Sequence, residues 1–398
     1  MYFLETQTET MNSINPPSIS LIQRLRSVDV LRGAVMVLMA IDHVRVYSGV
    51  PAGGPNPGVF FTRWITHFCA PAFVFLAGTS AFFYGRKIND RKKLAQYLIS
   101  RGLLLVLLEL TLIRYCWTFN FDYSNFILAG VIWMLGWCMV LMAALVWLRP
   151  RTVGIIGISI IFLQQLFGML PRILPASVHD SVGKVWEFIY PSGLNGPSSI
   201  AILYVLVPWI GVMAAGYGFG SILLLPPQRV RKICLWSGLS AIALFLAVGT
   251  IVIVTSDPSP ENPPFIFRLL NQNKYPASQL YLLMTLGPLI SLVPFSGKAK
   301  GWLSNALSVF GKTPFFFYLT HIPLIHISAL IVSLVMYGEM HHEWYASAPF
   351  ASVPEENRWG LPLLYLVFII DIAILYFLCK WYSKYKAAHP EKKWLKYL

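Results

Sequence analysis

Charge is what this sequence has least of. Of 398 residues only 12% are Asp, Glu, Lys or Arg, and acids are the scarcer sign, 17 against 31 bases. That much polar surface cannot cover a soluble globule of this length. With 56% hydrophobic residues and a mean hydropathy of +0.62, the chain reads as a polytopic membrane protein. Cysteine is also sparse: Cys69, Cys116, Cys138, Cys234 and Cys379 all fall in apolar segments without metal-ligand spacing. They read as free, buried thiols, and no metal is expected. No internal repeat and no soluble domain is evident. The first twenty residues lack a long apolar run, so they read as a tail, not a cleaved signal peptide.

Apolar runs of spanning length recur ten times, near 28–47, 60–84, 102–120, 126–148, 152–170, 199–221, 234–255, 277–295, 306–336 and 361–381. The expectation is an all-α protein with about ten transmembrane helices. One membrane domain covers 21–383, between a disordered cytoplasmic tail at 1–20 and a basic cytoplasmic tail at 384–398. With both termini cytoplasmic, the inner segments hold 21 Lys and Arg residues and the outer loops five. The positive-inside bias is met at every loop. The formal charge of +14 is therefore mostly topology, facing anionic lipid or nucleotide, and nucleic acid is not an expected partner.

The chain is organised around Asp29 to His43, an apolar run with an ionisable cluster at each end. Arg32 and His43 are eleven residues apart, three helical turns and a few degrees over. Both therefore fall on one stripe, about 16 Å apart along the axis. Asp29 lies one turn before Arg32, where the two can neutralise each other. Charged groups in a bilayer cost several kcal/mol unless paired or facing a cavity, so an intramembrane Asp, Arg and His point to function. The bland reading of Asp42, His43 and Arg45 is interfacial anchoring.

A second polar group belongs to the same outer level. Arg63 and His67 are four apart on the second run, and Arg114 comes late in the third. Snorkelling arginines in an interfacial belt are the plain alternative. Glu109 and Asp371, in mid-span, each need a partner on another helix or a proton. Gly136 permits close helix contact, and Gly287-Pro288 offers a break or kink in the eighth run. In the ninth, His321 and His326 flank Pro323, so a kink decides whether they converge. Gly311-Lys312-Thr313 is not a phosphate-binding P-loop, because the earlier glycine and the preceding strand are missing.

Asp29-Val-Leu-Arg32-Gly through Asp42-His43 carries the Arg-x10-His signature and resembles the first helix of the acyltransferase family 3 proteins. Continued by Phe73-Val-Phe-Leu-Ala-Gly78-Thr and by Gly311-Lys-Thr-Pro-Phe-Phe-Phe-Tyr-Leu-Thr-His321, it resembles the bacterial relatives of heparan-alpha-glucosaminide N-acetyltransferase. That resemblance implies a transmembrane acyltransferase-type fold in a bacterial inner membrane. It also implies acetyl-CoA as donor from the cytoplasmic side and a carbohydrate acceptor on the exoplasmic side. The motif carries the family's catalytic histidine onto His43. The longer spacing of the human-type enzyme finds no match here, which leaves His43 and His67 both open as base.

The expected chemistry is acetyl transfer, O- or N-linked. A neutral imidazole of His43 or His67 takes the acceptor's proton. Asp29, Arg32, Arg63, Arg114 and His321 form the donor-binding set, with guanidinium groups for CoA phosphates and a developing oxyanion. An acetyl-histidine route is equally compatible. The remaining partners are membrane lipids, with a homodimer left open. The alternative class is a proton-coupled transporter using Asp29, Glu109, His321 and Asp371 as a relay.

Overall fold

The computed structural model describes residues 19–53, 56–124, 126–175, 179–191, 200–256 and 263–396. The expected N-terminal tail lies almost wholly outside them. In chain order the helices are α1 (Ile19–Tyr47), α2 (Pro57–Trp64), α3 (Cys69–Ile88), α4 (Arg91–Leu108) and α5 (Arg114–Thr118). Then come α6 (Val131–Leu145), α7 (Pro150–Phe162), α8 (Gln164–Ile173), α9 (His179–Trp186), α10 (Trp209–Ile222) and α11 (Pro227–Thr255). The last are α12 (Phe265–Leu270), α13 (Gln279–Ser296), α14 (Trp302–Lys312), α15 (Pro314–Tyr337) and α16 (Leu361–Ala388). Two three-residue strands, β1 (Ile127–Ala129) and β2 (Ile200–Ile202), pair in parallel, a small addition to the expected all-α fold.

Local chemistry explains several boundaries. Asn56 accepts from the amides of Gly58 and Val59, with Pro57 at the first helical position of α2. Asp90 caps α4 through Lys93 N at 3.1 Å. Gly338, at φ 81°, ends α15 in the left-handed region. Each expected apolar run has a helix, but the runs differ in form. The second is α2 and α3 joined by a 3-10 turn, Ile65–Phe68. The fifth is α7 and α8, bent by 67°. The ninth divides into α14 and α15 at Thr313. The eighth, α13, stays one helix through Pro288, so of the expected break or kink the break is absent.

By length and composition, six helices of the described residues are long and apolar enough to cross a membrane, or up to seven with the bent pair; α6 and α10 are apolar but shorter. α1 is not in that set, and its apolar run carries Asp29, Arg32, Asp42 and Arg45. Leu107, Ile155, Trp236, Val254 and Phe377 are exposed around the bundle, as lipid-facing residues of a membrane protein are.

α1 lies at the centre, in contact with α3, α13, α14, α15 and α16. Its seam with α14 is nearly backbone on backbone. A β-carbon at Gly33 would overlap the Leu307 carbonyl, and one at Gly311 the Asp29 carbonyl. The same close approach joins α3 and α10 at Gly78 and Gly216. Gly311 of the Gly-Lys-Thr run is thus a packing residue, and its close seat brings Lys312 near Asp29 of α1.

Candidate active site

A cavity of about 480 Å³ opens among α1, α3, α4, α6, α10, α14, α15 and α16. Arg32, Arg101, Lys312 and Lys386 line it with a single carboxylate, Asp29. Asp29 Oδ1 accepts from Arg32 Nη2 at 2.8 Å, the pair expected from their spacing. Among the described residues, the buried Arg32 Nε has no hydrogen-bond partner. The remaining walls are apolar and aromatic, with Phe73, Leu135, Met139 and Met213 among them. Along α1 the lining runs from Val28 to Met39, about 16 Å at the helical rise. The cavity therefore reaches within one turn of His43 on α1, and its lining residue Tyr318 stands three residues before His321 on α15.

His43 and His321 meet across those two helices. Nδ1 of His43 lies 2.7 Å from Nε2 of His321, with the rings stacked at 4.8 Å. His321 is fully buried. Its Nδ1 is 2.8 Å from the Tyr318 carbonyl and 3.1 Å from the Phe317 carbonyl. Carbonyls only accept, so this nitrogen carries the hydrogen and donates it. Nε2 of His321 is then an acceptor, and His43 must donate from Nδ1. The lone pair of His43 is left on Nε2, which has no hydrogen-bond partner among the described residues. Trp117 packs edge-on to the His43 ring at 4.8 Å and holds its plane.

The other expected site residues go elsewhere. His67, in the 3-10 turn, is buried with Nδ1 3.1 Å from the Arg63 carbonyl and, among the described residues, no partner for Nε2. Its backbone carbonyl accepts from Tyr281 of α13 at 2.7 Å. Arg63 reaches Asn271 Oδ1 at 3.3 Å. Neither Arg63 nor His67 lines the cavity. Arg114 is buried and turned into its own loop, bonding Thr118, Asn120 and the Asp122 carbonyl beneath the rings of Tyr123 and Phe126. The six-member outer cluster therefore separates into the His43 pair, the His67 turn and an Arg114 loop clamp.

Glu109 sits in a short π-helical segment, Glu109–Ile113, and accepts from Ile132 N at 3.1 Å. Its expected partner is thus the N-terminus of α6. Asp371 accepts from Ser328 at 2.7 Å. His326 stacks on Phe119 at 3.9 Å and takes different partners from His321, so the two do not form one pair. The residues of a proton relay are each engaged locally. Sequence reasoning overlooked Arg101, Lys312, Lys386 and Tyr318 as lining residues. A usable signal existed for the first three, which are basic residues near helix ends on the side where Arg32 lies.

A family model for the catalytic part of heparan-alpha-glucosaminide N-acetyltransferase matches residues 24–255. No curated protein matches the chain. The matched span holds Arg32, His43 and His67 and stops before Lys312 and His321.

Proposed function

Because the chain belongs to the heparan-alpha-glucosaminide N-acetyltransferase catalytic family, we propose that it is a membrane-embedded acyltransferase. It moves an acetyl group from acetyl-CoA on the cytoplasmic side to a sugar-type acceptor on the exoplasmic side. The observation that carries this reading is the cavity lined by four basic residues, which runs along α1 to within about one turn of the His43–His321 pair. Its size suits a ligand of this class. Arg32, Arg101, Lys312 and Lys386 fit the phosphates of CoA, and the unpartnered Arg32 Nε leaves guanidinium capacity beyond Asp29. The narrow pantetheine arm suits the apolar walls.

When bound, acetyl-CoA supplies an activated acyl thioester. The chain's residues then handle a proton. His43 Nε2 takes it from the acceptor hydroxyl or amine as the new C–O or C–N bond forms and the C–S bond breaks, and returns it to the departing thiolate. His321 positions that base: its backbone-held Nδ1–H fixes its tautomer, and thereby the hydrogen on His43 Nδ1. The low-polarity surroundings keep water from competing for the acyl group.

The proposal extends to placement. The chain crosses a bacterial inner membrane about ten times as one domain over 21–383, with both termini cytoplasmic, and is akin to the acyltransferase family 3 proteins. The cavity mouth then faces the cytoplasm. Cysteines introduced at Ala52 or Glu356 should react with a membrane-impermeant maleimide added outside, and those at Lys92 or Lys298 should not. The reverse pattern sinks this orientation. The central test is calorimetric titration of detergent-purified protein with acetyl-CoA. Saturable binding, lost on Arg101→Ala/Lys312→Ala, is expected. A protein that binds no acetyl-CoA is not this enzyme.

A further inference from the structure

A second cavity, of about 300 Å³, borders the start of α1. Ser27 lines it, whereas Val28, Asp29 and Arg32 line the larger one. At about 100° per residue those three are turned well away from Ser27, so α1 divides the two spaces. The other walls include Val293 and Pro294 of α13, Lys298 of the turn after it, and Gln228 and Arg231 of α11. Arg26 fixes that turn, with Nη2 donating to the Ala299 carbonyl at 3.2 Å and to Asn305 Oδ1 at 2.9 Å.

No carboxylate lines this cavity. The sequence has no Asp or Glu from Phe188 to Ser256 or from Asn262 to Gly338, so α11, α13 and their turns have none to offer. Among the described residues, neither the Arg231 nor the Lys298 side chain has a hydrogen bond or an ion pair. Arg231 lies over the Phe295 ring at 5.7 Å. A cleft lined by one sign of charge concentrates its field and draws the opposite sign, so the occupant is an anion.

The surroundings say which kind. α11 begins here and α13 ends here, and both are long and apolar enough to cross a membrane. The cavity therefore sits at the membrane boundary. Leu292 and Phe295 adjoin its lining in sequence and are exposed, as are Trp236 and Leu239 further along α11. A soluble anion has no use for that apolar flank, whereas the chains of a lipid do.

We propose that this cavity binds the headgroup of an anionic membrane glycerophospholipid. Arg231 and Lys298 hold the phosphodiester, Gln228 offers its amide to the headgroup hydroxyls, and the acyl chains lie on the outer faces of α11 and α13. The inference needs only that the chain spans a membrane and is independent of acyl transfer.

The test is calorimetric titration of the detergent-purified full chain with dioctanoyl phosphatidylglycerol, dioctanoyl phosphatidylcholine and inorganic phosphate. The two lipids share their chains and phosphate and differ in net charge. Each nearby cation favours an anionic lipid about fivefold, so phosphatidylglycerol should bind at least about tenfold more tightly than phosphatidylcholine. Arg231→Gln/Lys298→Gln should cut that preference below about twofold. Lys87→Gln/Lys92→Gln, a pair of exposed bases outside both cavities, should leave it intact. Equal affinity for the two lipids overturns the proposal, as does a preference that survives loss of Arg231 and Lys298. So does an equal loss in the control pair, which would mark diffuse attraction to a basic surface. Phosphate binding as tight as phosphatidylglycerol binding overturns it too, as a simple anion site. If the double variant misfolds, Gln228→Glu decides: it sets a carboxylate in the cavity at a helix start, where one is well tolerated, and should abolish the preference. Saturating phosphatidylglycerol should leave acetyl-CoA affinity within about twofold, and direct competition would place the lipid in the larger cavity and overturn the assignment. Were acetyl-CoA not to bind at all, the acyltransferase reading would fall and the lipid site would stand.

Discussion

α1 carries the same ion pair twice. Asp29 and Arg32 are bonded at 2.8 Å near one end, Asp42 and Arg45 at 3.0 Å near the other. Both are aspartate-then-arginine at a three-residue spacing, yet the spare nitrogens go to different places. Arg45 uses Nε on Asp42 at 3.1 Å and Nη1 on the Val50 carbonyl at 2.8 Å, which ties the chain leaving α1 to the helix. Arg32 commits one nitrogen to Asp29 and stands in the wall of a cavity with three more cations. The Asp42–Arg45 pair is closed and holds structure. The Asp29–Arg32 pair is open and holds capacity for a ligand. A residue's role is set by what its remaining donors face, and the motif alone does not contain that.

The comparison breaks hardest at His43, the residue next to Asp42 in the second pair. His43→Ala should lower acetyl transfer by about a hundredfold or more while acetyl-CoA binding stays within about twofold, since a general base contributes roughly 10²–10⁴. Radiolabelled acetyl transfer in vesicles, set beside titration of the same protein, measures both. If His67→Ala is the dead variant instead, the base belongs to the 3-10 turn. Next comes His321→Phe, which fills the space but removes the acceptor of the His43 Nδ1 hydrogen. The turnover rate should fall about ten- to a hundredfold with unchanged acetyl-CoA affinity. A weakened affinity there would mean that His321 serves the donor.

Arg32→Lys sharpens the open side. An ammonium cannot reproduce a guanidinium fork, so acetyl-CoA affinity should drop about tenfold, with the melting temperature little changed. Arg45→Lys is the smallest effect and the opposite in kind. Acetyl-CoA affinity should hold, and thermal unfolding should show a loss of about 1–2 kcal/mol, because a buried carbonyl loses its donor. Were both lysine variants to weaken acetyl-CoA equally, the two pairs would not differ in role.

Much of this was legible in the sequence. The ten apolar runs come from hydropathy, and the Asp29–Arg32 bond from spacing on one helix. The separation of Arg114 from His43 was not legible. Equal depth in a membrane says nothing about azimuth, and the π-helical segment at Glu109–Ile113 rotates α5 relative to α4. His43 and His321 are 278 residues apart, and no periodicity relates them. The tight seat of Gly33 and Gly311 joins them, because it sets α14, and with it the start of α15, against α1. Conversely, Gly287-Pro288 read as a break or kink, and α13 carries the proline within a continuous helix.

The carbonyl clamp on His321 has an electrical consequence. A proton taken by His43 can be shared with His321 across their bond, but beyond it the His321 Nδ1 meets, among the described residues, the carbonyls of Phe317 and Tyr318, which cannot pass it on. The pair is a blind alley for protons. The proton that His43 collects from the acceptor must leave with the thiol, so an acetyl group travels outward as a proton travels inward and no net charge crosses. Transfer in sealed vesicles should then run at the same rate with the membrane voltage imposed, reversed or collapsed by an ionophore.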